Sequence, residues 1–379
     1  MELKDVREKI DLLDDKLTAL FVERMELSKQ VALIKEKEGL PISNVKRERD
    51  IIIEETSKMP EEIKSLGKQF YENVFSLSKA YQTRTVEENS EILNLIKKAI
   101  SETEEFPQSA SVACQGVFGA YSQIAADKLV DVCNITYFKD FDGVFSAVEK
   151  GFCRYGVLPI ENSSVGSVNN VYDLMLKHKF YIVKAIKLRI NHCLLAKKGV
   201  ELTQVKEVFS HEKAIGQCSK LLKELGVKIT VCENTAVAAK MVEKSDRLDV
   251  ACISSLECAS IYNLSVLKQN ANDTDNNYTR FILISKKPEI YDEASKISVM
   301  VNLPHEAGSL NNILGRFSTL GLNLTKLESR PIPESSFEFA FYFDFEGRAK
   351  KREVSALLSE LDNTCQKFVF LGNYTEITG

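Results

Sequence analysis

Between Leu3 and Ile34 the apolar residues recur at alternating steps of three and four: Leu3, Val6, Ile10, Leu13, Leu17, Leu20, then Leu27, Val31 and Ile34. That spacing predicts an amphipathic helix with a coiled-coil-like seam. At 1.5 Å per residue the helix runs about 50 Å. Gly39 and Pro41 end it. A second helix is predicted over Val45–Lys58, stopping before Pro60, and a third over Glu61–Gln82. Three helices with so long a first one do not close into a compact monomer. The seam needs a partner, most simply a second copy of the chain.

The pattern then changes twice. Residues 83–109 are polar and acidic, a linker or a peripheral helix, with a weak helical repeat at Ile92–Ile100. From Ser111 short β-branched runs alternate with helical stretches. Strands are predicted at Ser111–Cys114, Arg154–Ile160, Tyr181–Ile186, His192–Ala196, Glu207–Ser210, Ile229–Cys232, Asp249–Ser254 and Thr279–Ser285, with Lys268–Asn277 a loop. This is a two-lobed α/β domain with a mostly parallel sheet. From Lys296 the order is strand, helix, strand, strand, helix, strand: Ile297–Leu303, Gly308–Leu320, Leu322–Ser329, Phe337–Phe345, Ala349–Leu361 and Gln366–Leu371. That is a ferredoxin-like βαββαβ module, α+β in class. The domains are therefore read as 1–86, a linker 87–109, 110–287 and 296–373.

Composition narrows the function classes. A chain of 379 residues holds two to three domains. Its net charge of -4, without a basic block, argues against nucleic acid and against a membrane surface. No run approaches the roughly 18 apolar residues of a membrane span. The opening Met1-Glu2-Leu3-Lys4-Asp5 is charged at once, unlike a signal peptide. Nine cysteines without a Cys-x-x-Cys pair read as reduced thiols of a cytoplasmic protein. Four histidines without metal-binding spacing imply no metal.

Arg24 interrupts the helical seam between Leu20 and Leu27. A guanidinium in a packed seam costs several kcal/mol unless an anion meets it. Lys35 lies eleven residues on, about 20° round the helix and about 16 Å along it. Arg7 is on another face, so only a partner helix would deliver it to the same pocket. Arg47 and Glu48 open the second helix, and Ser78 and Gln82 share a face of the third.

With Val6-Arg7-Glu8-Lys9-Ile10 and Glu23-Arg24-Met25-Glu26-Leu27, these residues resemble the all-helical chorismate mutase family over about the first 85 residues. The resemblance implies an intertwined dimer. It also implies a pericyclic rearrangement of chorismate to prephenate, which needs a held conformation and a stabilised ether oxygen rather than a nucleophile. By the resemblance, Arg24 and a partner-chain Arg7 bind carboxylates with help from Arg47. Lys35 and Gln82 donate to the ether oxygen, Glu48 binds the ring hydroxyl, and Ser78 lines the carboxylate end. Asn44 stands where some relatives carry Asp and offers a polar contact.

A second group follows. Gly116-Val117-Phe118-Gly119-Ala120-Tyr121-Ser122 joins a strand to a helix, either an anion cradle or simply a tight turn. Leu158-Pro159-Ile160-Glu161-Asn162-Ser163 sets polar groups past a strand's C-terminal end, where ligands sit in α/β sheets. Ser210-His211, Gln217-Cys218 and Asn276-Asn277-Tyr278-Thr279-Arg280-Phe281 complete the set. In this order they resemble prephenate dehydratase over about residues 111–286, a fold like the two-lobed periplasmic binding proteins. The resemblance implies that Thr279 donates or relays a proton to the leaving hydroxyl and Arg280 binds carboxylate. Asn162, Ser163, Ser122 and Gln217 would line the cleft. His211 is either a catalytic acid or, the preferred reading, a structural hydrogen-bonding residue.

Residues 297–372 resemble an ACT domain through Glu306-Ala307-Gly308-Ser309-Leu310 and Asn323-Leu324-Thr325…Glu328-Ser329-Arg330-Pro331. The resemblance implies phenylalanine binding by Gly308, Ser309, Leu310, Asn323, Leu324, Glu328, Ser329 and Arg330, where two such domains meet. The three resemblances imply a bifunctional, feedback-inhibited enzyme without a cofactor, a homodimer or tetramer. The rivals are a non-catalytic amino-acid sensor or solute-binding protein, or a chain retaining one activity.

Overall fold

The computed structural model describes residues 2–40, 42–85, 90–306, 308–331 and 339–379, and the side chains of residues 83 and 84 are outside that description. The chain forms two compact units, Met1–Lys97 with Val299–Phe370, and Lys98–Ser298 with Leu371–Gly379.

The helices opening the chain are α1 (Leu3–Glu38), α2 (Val45–Ser57), α3 (Lys64–Thr85) and α4 (Glu91–Glu102). Gly39 ends α1 at φ 64°, a left-handed cap that glycine adopts without strain. Pro41, the other predicted terminator, lies outside the described residues. α1 is covered only on one face of its second half, where Ser28 and Ala32 are buried and the helix packs on α3. The nine seam residues are exposed, from 37% for Val6 to 66% for Leu3. Within one chain the seam is thus uncovered.

The middle of the chain runs β1 (Ser109–Gln115), α5 (Tyr121–Leu129), β2 (Val132–Phe138), α6 (Phe141–Glu149), β3 (Tyr155–Asn162), β4 (Gly166–Ser167), α7 (Asn169–His178) and β5 (Tyr181–Arg189). It continues through β6 (Cys193–Ala196), β7 (Glu207–Ser210), α8 (Glu212–Gln217), α9 (Ser219–Leu225), β8 (Lys228–Val231), α10 (Thr235–Lys244), β9 (Val250–Ser254), α11 (Leu256–Ile261), β10 (Ser265–Lys268) and β11 (Tyr278–Ser285). The C-terminal run is β12 (Lys296–Asn302), α12 (Ser309–Thr319), β13 (Leu324–Pro331), β14 (Phe339–Glu346), α13 (Arg352–Thr364) and β15 (Lys367–Thr378).

In the second unit, two sheets with separate cores make two lobes. The first has the order β5-β11-β3-β1-β2, with the end of β15 beside β5. The second has the order β10-β6-β9-β7-β8. The expectation of a mostly parallel sheet is corrected here. In the first sheet β11 runs antiparallel to both β3 and β5, and in the second β6 runs antiparallel to β9 and β10. The reason is connectivity: the chain leaves the first lobe after β5 and returns only as β11, which enters the middle of the sheet from the opposite end. The edge strands β2 and β10 escape sequence reading because neither is fully buried along its length, and β10 has only four residues.

In the first unit, β12-α12-β13-β14-α13-β15 has the expected βαββαβ order, with strands arranged β13-β14-β12-β15. Phe317 of α12 stacks on Phe343 at 5.6 Å and meets Phe345 edge-on at 4.9 Å, tying helix to sheet. Arg316 and Glu360 pair at 2.8 Å between α12 and α13. Ala307 of the first regulatory motif, and residues 337–338 at the start of one predicted strand, lie outside the described residues. Among the described residues no helix is long and apolar enough to cross a membrane.

Candidate active sites

The helical site is organised by the inner face of α1. Arg24 donates to Ser78 Oγ of α3 and stacks over the Phe75 ring at 5.5 Å. Ser78 is itself held by a bond to Val74 O at 2.8 Å. Burial pushes the Arg24 pKa below its usual value. Lys35 donates to Ile42 O at 2.5 Å, and burial pushes its pKa down against the pull of Glu48. Glu48 of α2 pairs with Lys79 of α3 at 2.9 Å. Gln82 is buried, and its Oε1 has no partner among the described residues. Arg24, Lys35, Glu48, Ser78 and Gln82 thus gather where three helices meet. Lys79, which sequence reading passed over, belongs with them. Its signal was its place between Ser78 and Gln82.

Two expected members stand differently. Arg7 is exposed near the start of α1, about 42 Å along the helix from Lys35 at 1.5 Å per residue. It cannot join this group within one chain. Asn44 is exposed and its Oδ1 accepts from Arg47 N at 3.0 Å, capping α2. Its acceptor therefore serves the helix end. Arg47 is exposed beside it.

The α/β site lies at the hinge between the two lobes. The chain crosses between them twice, at residues 190–192 and at 269–277. The crossings hold each other: Ile190 N donates to Asn277 O at 2.8 Å, and His192 N to Asn272 Oδ1 at 2.7 Å. Beside them the antiparallel register of β3 and β11 sets Asn162 opposite Thr279. Asn162 Nδ2 donates to Thr279 Oγ1 at 2.9 Å and to Asn277 Oδ1 at 3.0 Å. Gln217, from the second lobe, reaches Asn277 Oδ1 at 3.4 Å through its Nε2, and its Oε1 lies 3.1 Å from His192 Nε2. Burial pushes the His192 pKa down to about 4, so the ring is neutral at pH 7. Thr279, Asn162 and Gln217 are thus brought together, with Asn277 and His192, to which sequence reading gave no role.

Other expected residues are spent differently. Ser163 Oγ donates to Asn276 O and accepts from Tyr278 N, both at 2.9 Å, closing the loop. His211 caps α8 by accepting from Lys213 N at 3.3 Å, the structural role expected of it. Ser122 is buried in the first turn of α5. The Gly116–Ser122 turn spends three of its N–H groups within the protein. The N–H groups of Gly116, Gly119 and Ala120 are already taken by Phe138 O, Gln123 Oε1 and Val117 O. Gly119, at φ 89°, lets the turn press on α11, where a Cβ would come 2.9 Å from Cys258 Sγ.

Arg280 is the main correction. Successive side chains of a strand face opposite ways, so Arg280 points away from Thr279. It is buried, with Nε 2.6 Å from Glu376 Oε2, a bond to Tyr374 Oη, and Glu161 at 4.0 Å. Its charge is met by protein carboxylates, not presented beside Thr279. Glu376 also gathers Lys296 at 2.6 Å and Lys187 at 3.0 Å. Sequence reading missed it because the last strand was expected to end at Leu371.

Of the regulatory candidates, Gly308 caps α12 at φ 92°, and Ser309 and Leu310 open that helix. Asn323 precedes β13 and accepts from Glu346 N at 3.0 Å through its carbonyl. Along β13, Leu324, Glu328 and Arg330 share the less exposed face, and Ser329 faces the other way.

The family model described as chorismate mutase type II matches residues 6–83, and that described as prephenate dehydratase matches residues 112–289. Arogenate dehydratase 2 of Petunia hybrida is 37% identical over 71% of this chain and 72% of its own. The crystal structure of prephenate dehydratase from Arthrobacter aurescens in complex with L-Phe has a TM-score of 0.64 at 27% identity, covering 70% of this chain and 90% of that one. The bifunctional chorismate mutase/prephenate dehydratase of Escherichia coli (strain K12) is 31% identical over 97% of this chain and 95% of its own. Its alignment spans the helical site and the hinge site alike, and the chain belongs to the bifunctional chorismate mutase/prephenate dehydratase family.

Proposed function

We propose that this chain rearranges chorismate to prephenate in its helical domain, then converts prephenate to phenylpyruvate, carbon dioxide and water at the hinge of its α/β domain. One observation carries the first half. The half-buried Arg24 guanidinium has no carboxylate partner among the described residues, and a charge so placed calls for an anion. Arg24 and Ser78 bind a carboxylate, Lys35 and Gln82 donate to the ether oxygen as its bond breaks, and Glu48 takes the ring hydroxyl. Arg7 and Arg47 come from a second copy or from rearrangement around the ligand. The uncovered α1 seam supports an intertwined dimer.

For the second half, Thr279 Oγ1 accepts from Asn162 and keeps its hydrogen to donate. Departure of hydroxide from prephenate needs such a donor, loss of carbon dioxide supplies the electron pair, and aromatisation drives both. The βαββαβ module acts as an ACT domain, binding L-phenylalanine as feedback inhibitor through Gly308–Leu310 and β13. A cytoplasmic enzyme fits the nine unpaired thiols.

The test is to incubate purified protein with chorismate and follow its loss and the rise of phenylpyruvate, with and without phenylalanine. Thr279→Ala abolishes only the second step, and Arg24→Ala only the first. Persistent chorismate, or prephenate accumulating unchanged, refutes the corresponding half. Because a plant relative is an arogenate dehydratase, arogenate is assayed beside prephenate.

A further inference from the structure

The hydrogen-bond chain at the hinge has a direction. Asn162 Oδ1 accepts from the backbone N–H groups of Ser164 at 2.9 Å and Val165 at 3.0 Å. Those two bonds fix which end of the amide is which, so Nδ2 faces Thr279 and Asn277. A donor therefore meets Asn277, whose Oδ1 must be the atom turned to it. Gln217 Nε2 converges on the same oxygen, which leaves Gln217 Oε1 toward His192 Nε2. That nitrogen must then carry the ring's proton. His192 Nδ1 keeps its lone pair, 3.4 Å from the Tyr121 hydroxyl. Backbone geometry at one residue thus sets the polarity of five side chains.

The result is an orphan. Asn277 is 2% exposed, and its Nδ2 has no partner among the described residues. A buried amide donor left unpaired is costly, and each such group needs an explanation. Asn277 ends the crossing just before β11 and Thr279 lies two residues on in that strand, and both are bonded to the same Asn162 nitrogen. The amide that carries the orphan donor and the Thr279 hydroxyl thus share one neighbour, the Asn162 side-chain nitrogen.

We propose that Asn277 is a substrate-binding residue of the dehydratase site, its side-chain N–H donating to an oxygen of the anionic substrate, with Gln217 and His192 as the positioning residues that aim it. The proposal rests on the dehydratase reading. Wild-type protein that fails to convert prephenate refutes that reading itself, and the variants below test only Asn277.

Asn277→Asp keeps the acceptor that Asn162 and Gln217 need and removes the donor. The KM for prephenate rises about tenfold to hundredfold, the usual worth of a hydrogen bond to a charged group. The mutase rate stays unchanged. Relative to wild type, kcat/KM recovers as pH falls from about 7 to 4 and the new carboxyl regains a proton. A wild-type KM in the folded variant overturns the proposal. If this variant does not fold, Asn277→Ala gives the same readout without adding charge, and an unchanged KM there overturns it equally. His192→Gln keeps an N–H toward Gln217 and holds KM near wild type, whereas His192→Leu raises it. Equal KM in both removes the positioning role.

Discussion

Glu376 is the residue whose removal most directly probes how the dehydratase strand is held. Its carboxylate sits 2.6 Å from Arg280 Nε, 2.6 Å from Lys296 Nζ and 3.0 Å from Lys187 Nζ. Arg280 and Lys296 side chains are only 6% and 10% exposed. Glu376→Ala leaves two buried cations without their shared anion, a loss of about 3–5 kcal/mol. For a unit of roughly 200 residues this lowers Tm by about 6–20 °C. Differential scanning calorimetry reads the shift. The pH dependence has a definite sign. The surrounding cations outweigh burial and hold the Glu376 pKa below the usual carboxylate value. Its stabilisation is therefore full above the unfolded-state pKa, about 4.3, and lost as pH falls through the lower folded value. Glu376→Gln has no such acid limb. A Tm drop below about 2 °C would mean that water reaches Arg280 and Lys296 once Glu376 is gone, and the buried-network argument fails.

Three further predictions follow from the same reasoning. Burial lowers the Lys35 pKa, and the charged form is the donor, so the mutase rate falls as pH rises through a value below the ordinary lysine pKa of about 10.4; Lys35→Arg removes that alkaline limb, and a limb at the same pH in both proteins assigns it elsewhere. Leu13→Asp combined with Leu17→Asp, in the exposed seam, gives a monomer by light scattering that has lost mutase but kept dehydratase activity; a fully active monomeric mutase refutes the shared site. Gly119→Ala puts a Cβ 2.9 Å from Cys258 Sγ at a positive φ, costing about 1–3 kcal/mol by thermal unfolding, and an unchanged Tm shows that the turn relaxes at no cost.

Much of this molecule was legible along the chain. Alternating steps of three and four located α1, Gly39 closed it, and Pro60 separated the two helices that follow. The order of strands and helices from Lys296 spelled the βαββαβ module, and helical spacing set Arg24 and Lys35 on one face of α1 and Ser78 and Gln82 on one face of α3, while their roles came from the family resemblance. Helix periodicity is a local property, so one segment carries all the information needed to read it. The hinge was different. Thr279 and Arg280 are neighbours in sequence and were read as partners in one cleft, yet strand alternation gave one to Asn162 and the other to Glu376.

What the sequence determined by itself was therefore the identity of the elements and the residue types available for chemistry. What the tertiary structure decided was which of those residues meet. The Asn162–Thr279 bond joins residues 117 apart, and the Arg280–Tyr374 bond joins residues 94 apart. Such pairings depend on strand order, register and direction, and those are set by the packing of the whole unit. The unpartnered nitrogen of Asn277 became visible only once every neighbouring donor and acceptor had been placed around it.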